Sequence, residues 1–244
     1  MSAGEAMPQA VPALAKLTLS LRVVGVRADG YHLLDAEMVT VDLADTLWFA
    51  EGDGLEVSGE IAQDVPHGED NLVRRALAAV RRRAYVRLAK RIPAGAGLGG
   101  GSADAAAVLR WAGCRDLSLA AGLGADVPFC LIGGRARVTG TGEEVSPLPF
   151  EDVAGRAFTL LTPPFGVSTV AVYRAWDELG GPAGRGSNDL EPAALAVQPL
   201  LADWRDKLGE ASGQVPVLAG SGSTWFVEGA FPGEGRVVTR VAKP

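Results

Sequence analysis

From Lys16 to Val24 the apolar residues Leu17, Leu19, Leu21 and Val23 alternate with Thr18, Ser20 and Arg22. That is the two-residue period of a half-buried strand. Ala28-Asp29-Gly30 supplies turn chemistry, and Leu33 to Phe49 again suits strands, with an internal bend over Val41 to Leu47. The first third of the chain therefore reads as β-rich. Asp70-Asn71-Leu72 marks a helix start, and Leu72, Ala76, Ala79 and Val80 are spaced to share one helical face. Tyr85 to Ile92 returns to strand alternation, Pro93 ends it, a glycine-rich segment follows, and the alanine-rich run from Ser102 to Trp111 predicts a helix.

Beyond that helix, Gly124-Ala125-Asp126-Val127-Pro128 reads as a turn, and Phe129 to Ile132 and Arg135 to Thr139 read as strands separated by Gly133-Gly134. Gly140 to Gly155 mixes glycine, proline and acidic residues in the manner of a connection between domains, which places a boundary near residue 152. The second part opens with a strand at Ala157 to Thr162. Helices are expected at Ser168 to Leu179 and Ala193 to Leu208, and strands near Val217, at Trp225 to Val227 and at Val237 to Val241. The expected class is α+β in two domains, residues 1–152 and 153–244, without an internal repeat.

Composition narrows the chemistry. The chain has 244 residues, 48% of them hydrophobic and 21% charged, the profile of a folded globular protein. Its net charge of -6 disfavours nucleic acid and anionic membranes as partners, so an anionic ligand needs a local pocket. The basic clusters Arg74-Arg75 and Arg81-Arg82-Arg83 read as solvated surface. Cys114 and Cys130 form no CxxC pair and no Cys/His group with metal spacing, which excludes a structural zinc site. The first fifteen residues lack a basic leader, and the longest uncharged runs, 157–173 and 211–227, are broken by proline or glycine, so the expected compartment is the cytoplasm.

The segment Pro93, Ala94, Gly95, Ala96, Gly97, Leu98, Gly99, Gly100, Gly101, Ser102, Ala103 carries the most specific chemistry. Five glycines between Gly95 and Gly101 allow left-handed backbone and leave no Cβ in a ligand's way. Where such a loop opens a helix, the unpaired first-turn amides and the helix dipole attract an anion, and phosphate is the natural ligand. Ser102 can cap that helix, or donate its hydroxyl to a phosphate oxygen or a metal-bound water. The Walker pattern fails, because Gly101 stands where lysine is required. Gly95, Gly97 and Gly100 satisfy GxGxxG, but the preceding strand alternates Val86, Leu88 and Ile92 with Arg87 and Arg91, whereas a dinucleotide-binding strand is buried on both faces. A purely structural glycine turn is the remaining alternative.

With its proline and serine, this loop closely resembles the phosphate-binding motif of the GHMP kinases. The resemblance extends through Ala15-Lys16-Leu17-Thr18-Leu19, Arg27 to Leu34, Glu69-Asp70-Asn71-Leu72, Leu123 to Pro128, Ser187-Asn188-Asp189-Leu190-Glu191 and Gly220-Ser221-Gly222-Ser223, in order along most of the chain. It implies a two-domain fold with the active site in the cleft, and transfer of the γ-phosphate of ATP, with Mg2+, to a small-molecule alcohol. The member most resembled acts on a cytidine diphosphate sugar-alcohol, cytidine diphosphate methylerythritol, of the non-mevalonate isoprenoid pathway. By matching positions, Lys16 and Asp126 would be the catalytic pair and Pro93 to Ala103 the ATP loop. Asn71 would touch adenine, Tyr31 and His32 would hold the cytidine base, and Thr18 would contact substrate. The metal ligands and the oligomeric state are not implied.

Elementary chemistry agrees with these roles and also offers plainer ones. A carboxylate at Asp126 can take the proton of an attacking hydroxyl, and an ammonium at Lys16 can offset charge beside the transferred phosphate. Equally, Asp126 can cap a helix or form an Asx turn, and Lys16 can be a solvated strand residue. Asn71 can merely cap its helix, Tyr31 can be core, His32 surface, and Ser187 to Glu191 a helix start. Gly220 to Ser223 is a candidate to close the phosphate site from the second domain. Trp111, Trp176, Trp204 and Trp225 are assigned to packing.

Three features depart from the family pattern. Thr18 replaces the usual asparagine, Ala103 replaces a second serine, and the chain is compressed at Arg75 to Tyr85, at Trp111 to Leu119 and in the second domain. A GHMP-type kinase acting on a smaller alcohol such as homoserine or a mevalonate derivative, and a non-catalytic nucleotide-binding module, are the competing readings.

Overall fold

A computed structural model describes residues 9–59, 61, 68–182 and 186–243. The reading of the N-terminus as leaderless lies, for residues 1–8, outside the described residues.

Two long strands organise the first half. Strands β1 (Val11–Val26) and β2 (His32–Ala50) form an antiparallel hairpin whose turn is closed by Arg27 N donating to Tyr31 O at 2.8 Å. The far edge of β2 is shared: Thr46 to Ala50 pair with β4 (Tyr85–Ala89), and Leu34 to Val39 with β5 (Arg135–Gly140). Strands β3 (Gly54–Ser58) and β6 (Glu144–Pro147) complete a six-stranded sheet in the order β3-β4-β2-β5-β6, with β1 on β2. Helices α1 (Leu72–Ala79), α2 (Gly100–Trp111), α3 (Leu117–Leu123) and α4 (Val127–Ile132) belong to this half. Ala105 to Leu109 of α2 are fully buried, and the small alanines let α2 lie close to β1 and α4.

The second half carries β7 (Ala157–Leu161), α5 (Thr169–Glu178), α6 (Glu191–Val197), α7 (Leu201–Ser212), β8 (Val217–Leu218), β9 (Trp225–Glu228) and β10 (Arg236–Arg240), its antiparallel strands ordered β10-β7-β9-β8. The two sheets share apolar contacts. Leu17, Val39, Val41, Ile92 and Leu98 form one cluster with Phe158, Leu160, Phe226 and Val241. Isolated bridges Val41 to Val241 and Leu21 to Asn188 join the halves through the backbone. Each large apolar side chain buried there contributes about 1.5 to 3 kcal/mol, so the two sheets are held together by packing as well as by hydrogen bonds.

The class is α+β, as expected, but several elements differ from the sequence reading. Phe129 to Ile132 is helix, not strand: Pro128 in its first turn and Gly133 at its C-cap bracket a run buried on all sides, and periodicity cannot separate a short buried helix from a strand. Ala193 to Leu208 is two helices, α6 and α7, parted at Gln198-Pro199, where proline cannot donate to a continuing helix. Strand β6 lies within the stretch read as a connection. On α1 the buried face is Val73, Ala76 and Leu77, whereas Ala79 is exposed. Strand β1 is covered on both faces from Ala15 to Thr18, because the glycine loop meets its polar face: Lys16 N donates to Leu98 O at 3.0 Å.

Candidate active site

The glycine loop leaves the sheet beside a buried carboxylate. Asp45 is fully buried, and its Oδ1 accepts from the Arg91 and Ile92 amides, fixing the chain where it turns out of β4. Gly95, Gly97 and Gly99 then adopt positive φ (65°, 76° and 68°), while Ala96 and Leu98 between them are buried, so alternate residues anchor the loop and expose its backbone. Gly97 is required sterically: a Cβ there would stand 2.0 Å from Ala219 O. Gly99, in the left-handed region, is the N-cap of α2, so Ser102 lies inside the first helical turn and does not cap it. The first-turn amides have no intrahelical acceptor and are directed to the loop side of the helix.

Lys16 and Asp126 come together on this loop. Lys16 is 5% exposed, with its Nζ 3.3 Å from Asp126 Oδ2 and donating to Thr18 Oγ1 at 3.2 Å. Asp126 occupies the N-cap position of α4, yet its side chain makes no capping bond and pairs with Lys16 instead. Of the alternatives for these two residues, the solvated lysine and the capping aspartate do not occur.

A cavity of about 540 Å³ opens over the loop, within the range of small-ligand sites. Lys16 and Asp126 line it together with Asn71, Pro93 to Gly97 and Gly99 to Ser102. Leu98 and Ala103 point into the core. Asn71 caps α1, its Oδ1 accepting from Val73 N at 2.8 Å, and also lines the cavity, so both readings of that residue describe one side chain. Of the Gly220 to Ser223 segment, Gly220 and Ser221 line the wall from the second half, and Ser221 Oγ lies 2.8 Å from Thr169 Oγ1.

Thr18, Tyr31 and His32 lie off this wall. Thr18 is buried behind Lys16. Tyr31 is 63% exposed on the β1–β2 turn. The His32 ring packs on Tyr173 at 4.7 Å between centroids and on Trp176 at 5.4 Å, and its Nε2 lies 2.8 Å from Asp177 Oδ1. Tyr173 does line the cavity, on the same face of α5 as Thr169. Burial, and then the charge of Asp126, raise the Tyr173 phenol above its ordinary range, keeping its proton. Sequence reasoning passed over Tyr173 because an aromatic residue in an amphipathic helix carries no signal of its own.

A second charged group was also missed. Lys90 Nζ, buried beneath Gly100, pairs with Asp45 Oδ2 and, at 2.7 Å, with Asp104 Oδ2. Burial works against the Lys90 charge, but the two carboxylates outweigh it and raise its pKa. Burial pushes Asp104 from 3.8 up to about 7, and its Oδ1 is buried without a hydrogen-bond partner. The alternation of Tyr85 to Ile92 concealed Lys90 as one more polar position.

Among the described residues no group of three or more His, Cys, Asp and Glu could cage a metal ion. Magnesium does not require one, because it retains waters and binds through one or two protein oxygens and substrate phosphates. The Asp126 carboxylate and the Ser102 hydroxyl, both on the cavity wall, are oxygen donors that fit that limited demand. Among the described residues, no helix is long and apolar enough to cross a membrane.

Residues 71–134 match the GHMP kinases N terminal domain. A 4-diphosphocytidyl-2-C-methyl-D-erythritol kinase of Ruegeria pomeroyi is 38% identical, over 94% of this chain and 91% of its own. The enzyme of the same name from Moorella thermoacetica is 43% identical over 77% and 70%. A crystal structure of 4-(cytidine 5'-diphospho)-2C-methyl-D-erythritol kinase superposes with a TM-score of 0.70 at 33% identity, over 89% of each chain. Homoserine kinase from Cytophaga hutchinsonii shares the fold, with a TM-score of 0.58 at 20% identity over 99% and 98%.

Proposed function

The chain belongs to the 4-diphosphocytidyl-2-C-methyl-D-erythritol kinases, a branch of the GHMP kinases, and from that premise we propose that it transfers the γ-phosphate of ATP to the 2-hydroxyl of 4-diphosphocytidyl-2-C-methyl-D-erythritol, in the cytoplasm, as a step of non-mevalonate isoprenoid synthesis. The observation that carries the reading is the Lys16–Asp126 pair on the wall of a cavity floored by a left-handed glycine loop at a helix N-terminus. An anionic phosphate suits the floor, and an ionisable base stands beside it.

The residues have distinct tasks. The amides of Gly100, Gly101 and Ser102 hold the ATP phosphates, and Asn71 with the adjoining wall receives adenine. Asp126 takes the proton of the substrate hydroxyl as its oxygen bonds to phosphorus. Lys16, held by Thr18, offsets the charge on the transferred group. The oxygens of Asp126 and Ser102, with the phosphates, would hold magnesium, which would supply neutralisation of phosphate charge. The cytidine base is assigned to the end of the cavity lined by Tyr173, with His32 packed behind that ring and Tyr31 nearby on the turn. Stacking on an aromatic ring is worth about 1 to 3 kcal/mol per base. Residues 1–152 then act as the ATP-binding domain, and 153–244 supply Tyr173 and the Gly220 loop.

The test is ADP release with Mg-ATP, adding in turn the cytidyl substrate, homoserine and mevalonate. Turnover dependent on the cytidyl alcohol is expected. Turnover with homoserine or mevalonate alone would assign the site to a smaller alcohol, and ATP binding without turnover on any of the three would make it a non-catalytic module.

A further inference from the structure

Ser187-Asn188-Asp189 joins the second half of the chain to β1, and the chemistry above makes no use of it. Leu21 N donates to Ser187 O at 2.8 Å, and Asp189 N donates to Leu21 O at 2.9 Å. Asp189 Oδ2 accepts from Val23 N at 3.1 Å, and its Oδ1 from Arg22 Nη1 at 2.7 Å. The segment is thus fixed to the strand that carries Lys16.

The Asn188 side chain, 1% exposed, reaches the other way. Its Nδ2 donates to Leu218 O at 2.8 Å and to Gly220 O at 2.6 Å, and its Oδ1 accepts from Leu190 N at 2.9 Å. Both amide hydrogens are spent on the backbone either side of Ala219. That backbone bears on the site in two places. Ala219 O fills the space a Cβ would need at Gly97. Gly220 lies against Lys16, a Cβ there falling 3.4 Å from Nζ. The loop is also tied to the ATP loop by Ser223 N to Gly95 O and Thr224 N to Ala96 O, each at 3.2 Å.

We propose that Asn188 is a positioning residue for phosphoryl transfer: its two amide hydrogens hold the Leu218-Ala219-Gly220 backbone at the height that sets Lys16 and the ATP loop relative to one another. Asparagine fits because it presents two donors and an acceptor on a short stem. Aspartate there keeps the acceptor for Leu190 N but turns an oxygen on two carbonyls. Alanine leaves both carbonyls without their donor in a buried site, where an unsatisfied polar group is costly. The inference rests on the kinase reading for its kinetics, but not for the geometry.

The test compares Asn188→Asp and Asn188→Ala with Leu208→Ala, which empties a fully buried position on α7 outside the cavity wall. Each is assayed below its own melting midpoint, and amide hydrogen exchange is followed at residues 222–224. Displacing a site by a fraction of an ångström lowers kcat while the substrate still binds, so Asn188→Asp is expected to lose about tenfold or more in kcat with KM for ATP changed less than about threefold. Asn188→Ala should lose less, and Leu208→Ala should stay within about twofold of the unaltered enzyme. Exchange at 222–224 should quicken only in the Asn188 variants. A kcat for folded Asn188→Asp within about twofold of normal, unaltered exchange, or an equal loss in Leu208→Ala overturns the proposal. If the unaltered protein turns over no alcohol, the kinase reading fails by itself, and the exchange measurement still decides whether Asn188 holds the loop.

Discussion

Lys16 Nζ lies 3.3 Å from Asp126 Oδ2, joining the middle of β1 to the residue that opens α4. The two are 110 positions apart in the chain (126 minus 16) and meet because α2 packs against both β1 and α4 while α4 itself touches β1. The Asp126 carboxylate makes no capping bond at its helix N-terminus and faces the cavity beside an enclosed ammonium, which is what the proposed role as base requires. Asp126→Asn keeps the shape and removes the base. We expect ATP affinity, measured by equilibrium titration, to stay near normal while the steady-state rate falls about 100-fold or more. An unchanged rate would remove Asp126 from the chemistry.

Lys16 is enclosed as well as charged. Positions for a Cβ at Gly99 and Gly220 fall 2.7 Å from its Cγ and 3.4 Å from its Nζ, so the stem and the ammonium are closely packed on those sides and a guanidinium would have to sit further into the cavity. Lys16→Arg is therefore expected to restore little of the activity lost in Lys16→Met, itself lowered about 10² to 10³-fold. Near-normal turnover in the arginine variant would show that charge alone suffices.

Gly97→Ala tests the loop's backbone. The added methyl collides with Ala219 O, and φ of 76° is unfavourable for alanine. The strain is about 1 to 3 kcal/mol from the dihedral alone. The variant should show a lower thermal midpoint together with weakened ATP binding by calorimetry. Weakened ATP binding is the decisive sign, since a glycine needed only for folding would leave it intact.

The Asp45–Lys90–Asp104 cluster makes stability depend on pH. Asp104 titrates near 7 in the folded protein against 3.8 ordinarily, because burial disfavours its charge, so between those values the native state binds more protons than the unfolded state. Its favourable contribution is full below about pH 4 and is lost as pH rises through about 7. Urea midpoints for Asp104→Asn should therefore gain on the unaltered protein between pH 5 and pH 7.5. A gap that does not change with pH would show that Asp104 is ionised throughout. Lys90→Met, which leaves Asp45 buried without its cation, should cost about 3 to 5 kcal/mol near neutral pH.

Some of this was legible along the chain. Alternation in β1, the turn at Asp29-Gly30, the alanine run of α2 and the glycine loop are local signals, since backbone geometry and one-sided burial are written within a few residues. The loop signalled an anion, and the resemblance of its ordered companion segments, those of Lys16, Asn71 and Asp126 among them, to the GHMP kinases implied a kinase. The helix at Phe129 to Ile132 and the break at Pro199 are not legible in the sequence, because a short buried run has the same pattern as helix or strand, and a single proline can kink a helix or end it.

The tertiary structure alone decided which polar residues share the site. Strand β1 reads as half-buried, yet its polar face is covered by a loop from far along the chain, so Lys16 becomes an enclosed cation. Tyr173, Lys90 and Asn188 carry no local mark, because what each does depends on the partner opposite it. The sequence by itself determined the class, the glycine loop and the family. The placing of a lysine against an aspartate, and of an asparagine against two carbonyls, required the two sheets to close on each other, since contacts between distant segments are set by packing and not by neighbours in the chain.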